Sequence, residues 1–187
     1  MSEPIPECLL KMKKFRRIYL FAALLIIAAA ITLLPSCISE NEPHPGDYAI
    51  KTGERIPDFS VTADNGTVVS SESLRGKKSI LVFFNTSCPD CRKELPQIQT
   101  VYETILRDNL PVNLLCISRA ENMESVGNYW SEHSLTLPFS PQNDTAVFNL
   151  FAQYTIPRVY IINENLIITA QWDDSNMPSA AEILAEL

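Results

Sequence analysis

Apolar residues fill positions 79–84 almost without a break, which predicts a central strand buried on both faces rather than a half-exposed one. Downstream, Leu95, Ile98, Val101, Tyr102 and Ile105 recur at helical spacing within the amphipathic stretch 92–107. Val112–Ser118 repeats the buried-strand pattern. Met123, Val126, Tyr129 and Trp130 then predict a second helix, and Val147, Leu150, Phe151 and Tyr154 a third, with Asp144 as its N-cap. Two hairpins bracket this series. The first pairs 59–62 with 67–70 around Asn65-Gly66, both of which tolerate positive φ, and the second pairs 159–162 with 166–171 around Asn163-Glu164-Asn165. A closing helix is expected over 178–187, with Pro178 in its first turn, while Pro96 should kink the first helix. Strands alternating with helices give an α/β fold: a mixed central sheet flanked by helices, with an N-terminal β-hairpin extension.

The N-terminal third follows another pattern. Lys11, Lys13, Lys14, Arg16 and Arg17 precede an apolar run over 18–34, which ends at Pro35-Ser36-Cys37, the layout of a secretory signal. Leu34-Pro35-Ser36-Cys37 is similar to a bacterial lipobox, in which the cysteine becomes the lipidated first residue. An uncleaved anchor with an incidental Cys37 is the alternative, because the run is near the minimum length that spans a bilayer. Either way the rest of the chain is tethered outside the cytoplasm. Met12 begins a natural-looking signal start, which leaves Cys8 without a role. The expected organisation is a signal peptide at 1–36, a Pro- and Gly-containing tether at 37–51 and one domain at 52–187.

Charge narrows the partners. Loss of the segment before Cys37 takes away five basic and two acidic residues and moves the formal balance from −7 to −10, so nucleic acid is not an expected ligand.

The five cysteines sort by role. Cys116 lies within an apolar strand, where a lone thiol is a small core residue. Cys88-Pro89-Asp90-Cys91 sits between a strand and a helix, where two thiols can close a disulfide and both face a substrate. The helix start supplies unpaired N–H groups that favour a thiolate at Cys88, and Pro89 fits the first helical position. Cys91, one turn further in, is placed to attack a mixed disulfide on Cys88. Asp90 opposes thiolate formation, and Arg92 or Lys93 favours it. Structural zinc needs about four ligands, and no second Cys or His pair accompanies this one: His44 lies in the tether and His133 at a helix end. No metal or cofactor is expected. A thiol peroxidase remains an alternative, weakened because Asn85 stands where such enzymes carry threonine or serine. A redox-inactive binding module is the other.

Several further motifs bring a family into view. Gly53 with Pro57-Asp58-Phe59, the Asn65-Gly66 hairpin, Leu74-Arg75-Gly76-Lys77, the run from Phe83 through Cys88 and Cys91 to Pro96, and Ile156-Pro157 all stand in order. From about Gly53 to Leu187 the chain resembles the membrane-tethered, extracytoplasmic thioredoxin-like proteins of the TlpA/ResA type. That resemblance implies a thioredoxin-like fold and a thiol-disulfide oxidoreductase that reduces exported proteins with cysteine pairs, apocytochrome c among the candidates. It implies a membrane protein of the thiol-disulfide interchange type as electron donor. It further implies a cis peptide before Pro157, substrate backbone pairing at Ile156 and Pro157, and a pKa-tuning or proton-relay role for Glu94. Three departures mark this chain: Ser87 replaces a usual tryptophan, Arg158 a small residue, and Thr155 a frequent glycine or proline. Substrate preference is therefore a matter of this chain's own residues.

Overall fold

The computed structural model describes residues 49–187. Cys8, Cys37, the apolar run 18–34, the expected signal segment and nearly all of the expected tether lie outside the described residues. Among the described residues no helix is long and apolar enough to cross a membrane.

Among the described residues, seven strands and four α-helices follow in order: β1 (Ser60–Thr62), β2 (Val68–Ser70), β3 (Lys78–Phe84), α1 (Pro89–Arg107), β4 (Val112–Ser118), α2 (Met123–Glu132), β5 (Phe139–Ser140), α3 (Ala146–Phe151), β6 (Arg158–Ile162), β7 (Ile168–Trp172) and α4 (Ala180–Ala185). The main sheet has the order β5-β4-β3-β6-β7. β4 runs parallel to β3 and β5, whereas β6 is antiparallel to β3 and β7 to β6. The sheet is thus mixed, as the element order predicts.

β3 is central, and its alternation divides the core. Ile80, Val82 and Phe84 face Leu95, Ile98, Val101 and Ile105 of α1, Val126 and Trp130 of α2, and Ile183 of α4. Leu81 and Phe83 point to the other side, toward Phe148 and Phe151 of α3, Tyr160 of β6 and Val61 of the hairpin. Phe83 packs at 4.8 Å from Phe151 and 5.7 Å from Phe148, ring centre to ring centre. With both faces covered, β3 has no use for polar alternation, which is why its sequence is a continuous apolar run.

Several boundaries differ from the sequence expectation. In the hairpin only Gly66 takes a left-handed φ, +83°, while Asn65 instead accepts the Thr67 N–H on its side chain. The helix expected to reach Tyr154 stops at Phe151; Leu150 is 42% and Tyr154 59% exposed, so they extend an apolar pattern that is not core. Its N-cap residue is Thr145, although Asp144 still accepts the Ala146 N–H at 2.8 Å. Pro178 lies before α4 rather than in its first turn, because Ser179 and Glu182 form a reciprocal capping box that starts the helix there. In the second hairpin, Leu166 adopts φ +66° and the pairing shifts between Ile161 and Ile162, which delays β7 to Ile168. β5, two residues long, was not expected; it is too short to carry a period and is formed by pairing with β4.

Candidate active site

The C-terminal ends of the parallel strands β3 and β4 place their following loops side by side, the usual location of sites in such sheets. After β3 the chain turns through Asn85-Thr86-Ser87 into α1. Asn85 makes this turn: its Oδ1 accepts the Ser87 N–H at 2.8 Å and the Ser87 hydroxyl at 2.5 Å, its carbonyl accepts the Cys88 N–H at 3.1 Å, and its Nδ2 donates to the Arg119 carbonyl at 3.0 Å. Cys88 is the N-cap of α1, with extended backbone, and Pro89 is the first helical residue. The Cys88 carbonyl already accepts the Arg92 N–H at 3.1 Å. Its side chain makes no capping bond, which leaves the sulfur at the positive end of the helix and half-buried.

Cys91, three residues on, is fully buried, and burial pushes its thiol well above the ordinary range, with the neighbouring Cys88 adding to the rise. One thiol is therefore presented and the other withheld. Both are free, as is Cys116, which is buried in β4 and also raised by burial. The Ile156-Pro157 peptide is cis, and the Cys88 thiol lies 3.6 Å from the Ile156 carbonyl oxygen as a donor. The Ile156 N–H has no partner among the described residues.

Glu94 is not the solvent-facing residue that an early helical position would suggest. It is 2% exposed, and burial pushes its carboxyl up to about 7. Its Oε1 has no hydrogen-bond partner among the described residues. Glu94 and Cys91, three apart on one helical face, are both held inside the protein.

Asp90 is neutralised locally by Lys93 at 2.7 Å. Arg92 does not turn to the sulfur; its Nε donates to the Thr86 carbonyl at 2.5 Å and its guanidinium lies 5.9 Å from the Tyr129 ring centre. Arg158 is buried and anchors the loop before the cis bond, with Nη2 donating to the Thr155 hydroxyl at 2.6 Å and Nη1 3.6 Å from Asp173. Among the described residues no cluster of three or more His, Cys, Asp or Glu side chains is placed to hold a metal ion.

No local sequence pattern marks Glu121 or Arg119 as a site residue. Glu121 accepts both the N–H of Thr86, at 2.8 Å, and its hydroxyl, so it fixes the loop that delivers Cys88. No motif announces this contact, because 35 residues separate the partners and only the parallel pairing of β3 with β4 joins them. Glu121→Ala leaves two donors of a nearly buried residue without an acceptor and is expected to destabilise by about 1–3 kcal/mol. The check is urea unfolding: the midpoint falls with little change in slope, and Glu121→Gln, which keeps one acceptor, loses less. Around the sulfur, Asn85, Ser87, Cys88, Arg119, Thr145 and Ile156 line an open cleft of about 320 Å³.

A half-buried thiol at a helix start, a sequestered second thiol one turn away and a cis-proline loop against the first are the features by which relatives can be compared. Residues 52–171 match the AhpC/TSA family. The chain belongs to that family. The chain is 26% identical over 152 residues to the thiol-disulfide oxidoreductase ResA of Bacillus subtilis, covering 81% of this chain and 82% of that protein. The solution structure of a Bacteroides thetaiotaomicron protein, provisionally named a protein disulfide isomerase, superposes with a TM-score of 0.68 at 29% identity over 75% of this chain and 89% of the other. StoA of Bacillus subtilis follows with a TM-score of 0.58 at 25% identity over 68% and 93%. This AhpC/TSA member is a thiol-disulfide oxidoreductase of thioredoxin-like fold, and its relatives imply protein substrates that contain cysteines.

Proposed function

We propose that Cys88 is the attacking thiol and Cys91 the resolving thiol of a disulfide reductase. The observation that carries this reading is the asymmetry of the pair: Cys88 is open to a cleft and Cys91 is not. Cys88, as thiolate, attacks one sulfur of a substrate disulfide; a mixed disulfide forms and the other substrate sulfur leaves as a thiolate that takes a proton. Cys91 then loses its proton and attacks the Cys88 sulfur. The Cys88–Cys91 disulfide forms, the second substrate thiol is released, and two electrons have passed to the substrate. A dithiol donor returns them.

Cys91 is a poor nucleophile while protonated, and its burial keeps it so until a base acts. Glu94, with its carboxyl near neutrality and an unpaired oxygen, is suited to that proton transfer. Ile156 and Pro157 hold an extended substrate segment, using the Ile156 N–H and carbonyl as strand-like partners. The Asn85 side chain serves the loop, with Oδ1 accepting from Ser87 and Nδ2 donating to the Arg119 carbonyl, and it offers no hydroxyl of the kind a thiol peroxidase carries at that position, which favours exchange over peroxide chemistry.

In the whole chain, the domain at 52–187 follows a tether at 37–51 and a signal segment at 1–36, and Cys37 carries the lipid that attaches it to a bacterial membrane on the extracytoplasmic side. Exported proteins with cysteine pairs, such as apocytochrome c, are the substrates, and a membrane protein of the interchange type is the donor. Cys91→Ser should accumulate a mixed disulfide between Cys88 and a protein substrate, visible as a reductant-sensitive band shift. Absence of that adduct in a variant that retains a reactive Cys88 overturns the division of roles. Incorporation of labelled palmitate that is lost in Cys37→Ser tests the anchor, and no incorporation overturns it.

A further inference from the structure

We propose that Arg119 is a specificity-determining residue, which receives a carboxylate carried by the substrate close to the disulfide that Cys88 attacks. The inference rests on the role given to Cys88 above and names what that site selects.

Arg119 follows directly on β4, and its backbone is fixed at both ends: its N–H donates to the Phe84 carbonyl at 2.7 Å and its carbonyl accepts from Asn85 at 3.0 Å. The guanidinium is fixed too. Its carbon lies 4.7 Å from the Phe148 ring centre, and Nη1 donates to the Tyr154 carbonyl at 3.0 Å. Nε is buried and unpartnered, whereas Nη2 takes no partner among the described residues and is not buried. A rigid guanidinium thus keeps a spare donor edge on a residue that lines the same cleft as Cys88.

Its charge is also unmatched. Arg55, Arg75, Lys93, Arg107 and Arg158 each lie within ion-pair distance of a carboxylate, and among the described residues Arg119 does not. Among the described residues it is the one charged residue lining the cleft that holds Cys88. The neighbouring polar groups already serve the loop itself: Asn85 Oδ1 accepts from Ser87 and its Nδ2 donates to the Arg119 carbonyl, and the Thr145 hydroxyl accepts from Asn149. The anions that a protein substrate offers are Asp and Glu side chains, whose planar oxygens suit a guanidinium edge. Elsewhere this acidic chain repels such groups, so an attraction for them must come from a local cation.

The test uses three fluorogenic peptide disulfides that differ only beside the reactive cysteine, with Asp, Asn or Lys. Wild type at low ionic strength is expected to reduce the Asp peptide with kcat/KM ~10-fold above the Asn peptide, as one charge-assisted pair allows. The Lys peptide should be slowest. Arg119→Gln brings the Asp/Asn ratio to about 1, and Arg119→Glu inverts the order toward Lys. Reduction of all three peptides without an Asp preference, or a preference that Arg119→Gln retains, overturns the proposal and leaves the role of Cys88 standing. Reduction of none overturns that role instead. Should the Arg119 variants not fold, wild type decides: an Asp preference that fades in roughly 0.5 M salt supports the proposal, and one that persists there contradicts it.

Discussion

Cys88→Ser is expected to lower reduction of a protein disulfide by about 10³-fold or more, because no other thiol among the described residues can take its place. Cys91 is fully buried, and its raised pKa keeps it protonated at neutral pH. Cys116 is sealed within β4 under the same penalty. Cys91→Ser should behave differently in kind: the first exchange survives, turnover stops, and the enzyme stalls as the mixed disulfide. Insulin reduction followed by turbidity, with trapped adducts counted by mass spectrometry, separates the two variants. A Cys88→Ser protein that kept more than a tenth of wild-type activity would sink the assignment. Cys116→Ala should retain reductase activity, since that residue touches the core and not the cleft.

The second large effect concerns Glu94 and depends on pH. Its carboxyl is raised from 4.5 to about 7 in the folded protein, by burial. Between those values the native state holds a proton that the unfolded chain has lost. The native state binds more protons than the unfolded one, so stability falls as pH rises through this window. Full stability belongs to the region below about 4.5, and the loss, about 3 kcal/mol, is complete above about 7. Glu94→Gln keeps the shape, removes the charge and is expected to abolish this decline, which makes it more stable than wild type at pH 8 and little different at pH 4. Urea unfolding at the two pH values measures it. The same substitution should cost activity, because the base proposed for Cys91 is gone: the rise in single-turnover resolution through pH 7 should flatten. Equal pH profiles for wild type and Glu94→Gln, in stability and in resolution rate, would rule out a buried, titrating Glu94.

How far the fold could be read from the sequence depended on burial. β3 and β4 are apolar on both faces, and α1 repeats its core residues from Leu95 to Ile105, so their positions in the chain matched the pattern closely. The elements that shifted are those whose ends are set by side-chain bonds or by pairing rather than by periodicity. α4 begins where Ser179 and Glu182 cap each other, α3 ends although Leu150 and Tyr154 continue its apolar spacing into solvent, and β5 exists because β4 offers an edge. The site divides along the same line. Cys88, Cys91 and Glu94 lie on one helix, and local spacing brings them together, although spacing alone could not say that Glu94 faces inward. Ile156 and Pro157 join them from 68 residues away through the thiol contact. Glu121 and Arg119 stand on an ordinary-looking loop after β4, and only the register of two parallel strands carries that loop to the one that delivers Cys88.

The dithiol itself offers the most direct measurement. Equilibration of the protein against dithiol buffers of graded potential, followed by alkylation and mass mapping, should give one two-electron couple in which Cys88 and Cys91 oxidise together, with a tenfold change in ratio for each roughly 30 mV. Cys116 should stay reduced throughout, and the couple should vanish in Cys88→Ser and in Cys91→Ser alike. Thiols at 88 and 91 that alkylate independently at every potential, or a disulfide that engages Cys116, would contradict the account.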